Sequence, residues 1–171
     1  MYLRKISLLF ALQCSILAPV HAASCQLQNI AVTPLQPGHY EVFRAVGKSV
    51  ELRFNSVSND AQVDAFPEPP LKILQRASNT QCEINAGIWV RKDVYLSSNE
   101  QVLLTHEYSG SNDFLVFYNT TDCSKLHELD VSGSTWKIRG KLIRTETQDG
   151  IRHKRQDYVL NAKCLPQATR K

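Results

Sequence analysis

The feature that most constrains this chain is a two-residue rhythm of apolar and polar side chains, broken by turn-forming clusters about every 8–12 positions. In SVELRFNSV, residues 49–57, Val50, Leu52 and Phe54 fall on one side of an extended chain and Glu51, Arg53 and Asn55 on the other. Side chains alternate across a strand, so the pattern builds a half-buried strand; on a helix it would scatter the apolar groups. HYEVFRAV, residues 39–46, closed by Gly47 and Lys48, is its expected hairpin partner. From Ile88 onward the same reading gives a meander of IWVRKDVYL, QVLLTHEY, FLVFY and KLHELDV. Its separators, SSNE, SGSND and NTTDCS, turn the chain through side-chain hydrogen bonds or positive φ. The expected fold is all-β, an antiparallel meander forming a sandwich or partly open barrel of about seven to nine strands.

Two segments need separate treatment. DAFPEPPLKIL, residues 64–74, carries Pro67, Pro69 and Pro70, which cannot donate to a ladder, so an extended crossing loop is expected there. STWKIRGKLIRTET and RHKRQDYVLNAKC flank QDGI, and Asp149-Gly150 signals a hairpin. A three-residue loop, Asp149 to Ile151, pairs Leu142 with Tyr158, Gly140 with Leu160, Ile138 with Ala162 and Trp136 with Cys164. A two-residue loop instead sets Leu142 opposite Asp157, and because a one-residue slip exchanges the faces, the first register is preferred.

Residues 94–133, VYLSSNEQVLLTHEYSGSNDFLVFYNTTDCSKLHELDVSG, resemble one blade of the repeat of bacterial β-propellers. Such a blade has a strand, a Ser-Asn turn, two apolar strands, a D-x-x-T/C-x-K turn and a closing strand. The resemblance covers about 40 residues and occurs once. A propeller needs several blades, so the likeness implies a four-stranded meander and carries no function.

The N-terminus, MYLRKISLLFALQCSILAPVHA, reads as a secretory signal peptide over residues 1–22, with Arg4 and Lys5, an apolar run and a small-residue cut after Ala22. The apolar run is too short to span a membrane, which takes about 20 residues. Residues 23–171 are then expected to form one β-rich domain, with 165–171 a disordered tail because it is terminal and polar. A lipid anchor on Cys25 is the alternative, but Ala22 stands where Leu is usual, and simple cleavage is preferred. The expected address is the periplasm or the medium of a bacterium.

Cys25, Cys82, Cys123 and Cys164 remain after cleavage, spaced by 57, 41 and 41 residues with no C-x-x-C. In an oxidising compartment they read as two disulfides, and sequential pairing, Cys25–Cys82 and Cys123–Cys164, is the favoured of three connectivities.

Charge is distributed unevenly. Residues 41–130 hold 13 acidic and 8 basic side chains, whereas 131–171 hold 3 acidic and 10 basic. The expected binding face comprises Lys137, Arg139, Lys141, His153, Arg155 and Lys163, aimed at a protein partner with an acidic surface. Aromatic and basic residues mostly occupy different segments, which argues against nucleic acid. The aromatics themselves, with Trp89 and Tyr95 on one strand face and Phe114 and Tyr118 alternating with Leu115 and Phe117, read as a sheet covered on both sides.

Signatures of chemistry are missing: no G-x-S-x-G, no H-E-x-x-H, no phosphate loop and no dinucleotide fingerprint. His106 and His127 are placed on neighbouring strands, a candidate metal pair with Glu107 or Glu128, and Glu107 and Asp113 are a candidate carboxylate pair; neither spacing demands it. No cofactor or metal is expected. The reading is an exported, non-enzymatic binding protein, in its most concrete form an inhibitor or immunity-type partner of a secreted enzyme. The alternatives are a small-ligand or lipid carrier with a closed barrel and apolar cavity, and a hydrolase whose site is assembled from distant strands.

Overall fold

A computed structural model describes residues 25–169; the segment read as a signal peptide, and Arg170 and Lys171, lie outside the described residues. All regular structure within them is strand, and no helix there is long and apolar enough to cross a membrane. The strands number fifteen, in three antiparallel sheets that do not close into a barrel, more than the seven to nine expected. The closed-barrel form of the carrier reading is therefore excluded.

The central sheet runs β1 (Leu27–Asn29), β8 (Ile88–Ser97), β9 (Val102–Ser109), β10 (Asn112–Asn119), β11 (Lys125–Asp130), with β5 (Ala65–Phe66) also on β8. This is the expected meander. A five-stranded sheet runs β2 (Thr33–Gln36), β3 (His39–Val46), β4 (Val50–Asn55), β6 (Glu68–Gln75), β7 (Thr80–Ile84). A four-stranded sheet runs β12 (Ser134–Arg139), β13 (Leu142–Asp149), β14 (Arg152–Leu160), β15 (Pro166–Ala168).

Alternation explains the layering. In β4, Val50, Leu52 and Phe54 are buried and Glu51, Arg53 and Asn55 are half-buried, as the pattern requires. They join Phe43, Phe66, Leu71, Ile73, Trp89, Leu103, Val116 and Tyr118 in one core between the five-stranded and central sheets. The other face of the central sheet sends Leu104, Leu115, Phe117 and Leu129 into a second core with Ile143 and Leu160 of the four-stranded sheet. A sheet packed on both faces must be apolar on both, which is why β8 to β10 read as nearly continuous hydrophobic runs.

The disulfides correct the sequential pairing. Cys25 joins Cys164, and Cys82 joins Cys123. The first ties the segment just before β1 to the loop after β14, and the second ties β7 to the turn between β10 and β11. Each crosses from the central sheet to a different neighbour. Cys123 and Cys164 both have left-handed φ, 60° and 61°, at turns where their N–H groups donate to Asn119 and Asn161 carbonyls.

Four further expectations change. The proline segment is sheet: β6 lies between β4 and β7, and Asn55↔Glu68 and Arg53↔Lys72 leave Pro69 and Pro70 in a bulge that needs no ladder donors. STWKIRGKLIRTET is two strands, since Gly140 (φ 58°) and Lys141 form a two-residue loop between Arg139 and Leu142. The last hairpin takes neither expected register: Gly150 (φ 57°) and Ile151 form its loop, and Leu142 meets Val159 while Ile143 meets Tyr158. A glycine in the first loop position is the II′-type geometry; counting Asp149 into a three-residue loop, when it is the last paired residue of β13, shifted the ladder by one. Finally, the tail expected from residue 165 holds β15, which pairs with β14, and the Thr169 N–H donates to the Asp157 carbonyl.

Candidate partner-binding faces

The outer face of the four-stranded sheet carries part of the basic set. Lys137 lies opposite Arg144, and Arg144 lies opposite Asp157. Arg155 shares this face, opposite Glu146, and His153 stands nearer the β13–β14 tip, opposite Gln148. Lys137 therefore does not face Lys163, as expected from the wrong register. Lys141 sits in the β12–β13 loop, and Lys163 in the loop beside Cys164. The six residues do not form one cluster. Lys141 and His153 lie at opposite ends of strands that rise about 3.3 Å per residue.

Charge pairing separates them further. Arg144 donates through Nε and Nη2 to both oxygens of Asp157, at 2.8 and 3.1 Å, and Arg155 donates to the same oxygens at 3.2 and 3.0 Å. These bonds, from Arg144 first and then Arg155, hold the Asp157 carboxyl far below its ordinary range. Arg155 is thus engaged. Lys137 and Arg139 form no ion pair among the described residues. Alternation puts their side chains on the outer face, opposite Trp136 and Ile138, while the strand that carries them borders a groove between β12 and the central sheet.

That groove, of about 470 Å³, is lined by Lys92, Asp93 and Tyr95 of β8, His106 and Tyr108 of β9, and Trp136 to Arg139 of β12. His106 forms its floor, 8% exposed. Its Nδ1 is 3.1 Å from an Asp93 oxygen and its Nε2 3.2 Å from an Asp113 oxygen. Each ring nitrogen of His106 thus lies within hydrogen-bond reach of a carboxylate from a different strand. Trp136 and Tyr108 meet the ring edge-on, at 5.2 and 5.1 Å between centroids. Burial, then the Asp93 charge, pushes the Tyr95 hydroxyl up.

The expected chemistry is rearranged here. His106 does not meet His127, because β10 runs between their strands, with Leu115 beside His106 and Phe117 beside His127. No group of three metal-ligating side chains forms among the described residues. Glu107 does not pair with Asp113. It points to the opposite face, accepts from Thr105 Oγ1 at 2.6 Å, and neighbours Tyr118 and Trp89. Burial raises its carboxyl above the ordinary value, partly offset by Thr105 and Tyr118. The Trp89 indole N–H lies near this carboxylate without a well-aligned hydrogen bond. Only glycine fits at position 87, since a Cβ there would stand 2.7 Å from a Glu107 oxygen.

Lys92, Asp93, Asp113 and Trp136 were not singled out as groove residues from the sequence. Parity held the signal for Asp113: a two-residue β9–β10 loop sets it opposite Tyr108 and so on the face of His106. The bulge in β8 hid the rest, because the register shifts between Trp89 and Val94. Trp89 therefore shares a core with Val94 while Tyr95 faces the groove, contrary to the simple alternation.

A larger trough of about 600 Å³ adjoins the groove at Lys92 and Tyr108. Two of its polar side chains are engaged with backbone, Asn29 with the carbonyls of Lys92 and Val94 and Arg91 with three others. Arg91 donates to the carbonyls of Val32, Ala61 and Val63 at 3.1, 2.6 and 3.2 Å, and lies 4.7 Å over the Phe43 ring.

An open, disulfide-linked stack of three antiparallel sheets, with a shallow groove at one edge, defines the structural class. Comparison with known proteins gives that class a family. The model described as "Immune protein Tsi1" matches residues 25–152, and the chain belongs to this family of immune proteins. It is 38% identical over 119 residues to the Immune protein Tsi1 of Pseudomonas aeruginosa strain PAO1, covering 68% of this chain and 69% of that protein. The matched stretch includes Lys92, Lys137, Arg139 and Lys141, whereas His153, Arg155 and Lys163 lie beyond it.

Proposed function

We propose that this chain is an exported, non-enzymatic immunity protein that works in the periplasm by binding and neutralising a secreted enzyme with an acidic surface patch. Family membership over residues 25–152 carries the reading. Two disulfides, each linking different sheets, support an oxidising compartment. Cys25 supports an unanchored protein, because a sulfur bonded to Cys164 is not free to carry a thioether-linked lipid. Basic side chains along β12 and its loop support the acidic partner, whose approach they would steer.

Affinity capture from the envelope and medium of the native host, at low and high salt, tests the reading. One stoichiometric secreted enzyme, inhibited at one-to-one ratio and released at high salt, is the expected result. Reversing Lys137, Arg139 and Lys141 to Glu removes that complex. Capture undiminished by the reversal refutes the basic face, and the absence of any inhibited enzyme refutes the function.

A further inference from the structure

We propose that the outer face of the four-stranded sheet holds a carboxylate-receiving fork, Arg144 and Arg155 set in place by Asp157 with Lys137 beside them. Its occupant is an Asp or Glu side chain of the protein partner. Asp157 acts through the two guanidiniums and is a positioning residue. The assignment rests on the reading of the chain as a binding protein and names the chemistry of the contact within its basic face.

Register builds the fork. Cross-strand pairing puts Lys137, Arg144 and Asp157 in one row of the outer face, with Glu146 and Arg155 in the next. Lys137 stands directly opposite Arg144, and like charges so placed destabilise a sheet. Arg155 stands opposite Glu146 but reaches along its own strand to Asp157, so both arginines converge on one carboxylate. Glu146 forms no ion pair among the described residues. A carboxylate arriving between Lys137 and the fork offsets a repulsion that the fold itself leaves standing.

Donors remain for it. A guanidinium carries five N–H groups. Arg144 and Arg155 each donate to Asp157 through Nε and Nη2 alone, and their other N–H groups have no partner among the described residues. The two side chains are 32% and 52% exposed, so a partner reaches them from solvent. Because Asp157 already orders both, a second carboxylate binds without the entropy cost of fixing two long side chains.

The charge selects the occupant. Lys137, Arg144 and Arg155 stand against Asp157 and Glu146, an excess of one positive charge. One carboxylate neutralises it, and a doubly charged phosphate overshoots it.

The test uses the exported, disulfide-bonded protein labelled with ¹⁵N, read at the arginine Nε–Hε signals. The probes are acetyl-Ala-Glu-Ala-amide, its Gln counterpart and inorganic phosphate. The Glu peptide should move the Arg144 and Arg155 signals, and the Gln peptide should not. Asp157→Asn and Glu146→Gln add the same positive charge to the face, yet the first should weaken peptide binding roughly fivefold, the scale of ordering one long side chain, and the second should leave it equal or tighter. Arg144→Lys keeps the charge, loses the fork and should also weaken binding roughly fivefold, which keeps the test intact should Asp157→Asn unfold the sheet. Undiminished binding by a folded Asp157→Asn or by Arg144→Lys, phosphate bound more tightly than the peptide, or unmoved arginine signals would overturn the assignment. Both variants should also inhibit the captured enzyme more weakly. Full inhibition by both removes the fork from the contact and leaves the function standing, whereas the absence of any inhibited enzyme refutes the function and leaves the fork to stand on the peptide alone.

Discussion

The central sheet meets the five-stranded sheet through Phe43, Phe54, Phe66 and Trp89, all at 0% exposure, and meets the four-stranded sheet partly through Trp136, Ile138 and Tyr158, all only half-buried. In the first seam the rings touch in series: Phe66 lies 5.1 Å from Phe43 and 4.9 Å from Phe54, and Phe54 lies 6.4 Å from Trp89. The second seam opens into the groove over His106. Neighbouring residues of β9 show the difference in miniature. Glu107 enters the closed seam and accepts from a hydroxyl, while His106 enters the open seam and is held between two carboxylates. The closed seam buries its rings completely, and the open one leaves Tyr108 exposed at its edge.

The largest effect should come from cutting the staples. In the chain-entropy model Cys25–Cys164, separated by 139 residues, contributes about 5 kcal/mol, and Cys82–Cys123, separated by 41, about 4. The two should nevertheless differ in kind. C25S/C164S should release the four-stranded sheet, so that amide protection falls in β12 to β15 first and persists in β3, β4 and β6. C82S/C123S should lower the urea midpoint without releasing a layer, because the aromatic cluster still holds that seam. Equal loss of protection everywhere in both variants would mean the seams are not distinct.

Large-to-small substitution sharpens the same contrast. Phe66→Ala empties a fully buried site between two rings and should cost about 3–5 kcal/mol in urea unfolding. Ile138→Ala, in the half-buried strand β12, should cost roughly 1 kcal/mol, since water already reaches its surroundings. Matching losses would remove the claim that one seam is closed and the other open.

The closed seam was also the legible one. Strict alternation in β4, and apolar runs in β8 to β10, foretold a sheet covered on both faces, because burial on two sides leaves its mark on every residue. The third layer was harder to read. Trp136 and Ile138 looked continuous with Leu142 because Gly140 was taken as a strand residue, when its positive φ makes it a turn. The basic residues were visible one by one, but their pairing was not: Arg155 became engaged and Lys137 free only once the register set Asp157 opposite Arg144. The groove needed two further facts, the bulge in β8 and the edge position of β12, that a linear pattern does not encode.

A smaller effect is expected where the turns of the two sheets are sewn together. Glu100 accepts from the backbone N–H groups of Lys48 and Ser49, both at 2.6 Å, from Ser49 Oγ at 2.7 Å and from Val50 at 3.3 Å. The carboxylate comes this close because residue 47 is glycine; a Cβ there would stand 2.6 Å from it. Although burial pushes the other way, these bonds together lower its pKa from the ordinary 4.5. Their contribution is therefore present above pH 4.5 and lost as pH falls through the lowered value. Glu100→Gln should cost about 1 kcal/mol at neutral pH, with solvent screening limiting the loss, and the cost should vanish in acid. A penalty that persists at low pH would assign Glu100 a packing role instead.

Glu107 should give the smallest change and the opposite sign. Desolvation raises its carboxyl above the ordinary 4.5, so the unfolded chain releases this proton before the folded one does. Between 4.5 and the raised value, stability falls as pH rises. Gln at this position keeps an oxygen for the Thr105 hydroxyl and cannot ionise, so Glu107→Gln should flatten that slope while moving stability by less than about 1 kcal/mol at acidic pH. Urea unfolding followed from acid to neutral pH reads both variants in one experiment. If the seam is as closed as its rings suggest, Glu107→Gln gains on the wild type as pH rises, while Glu100→Gln falls behind it. If instead Glu107→Gln loses ground with rising pH, the ionised carboxylate is being stabilised by Tyr118, Thr105 and the Trp89 indole, and the seam is polar at its centre. That result would leave the two seams differing in their exposure to solvent and not in the charge they tolerate.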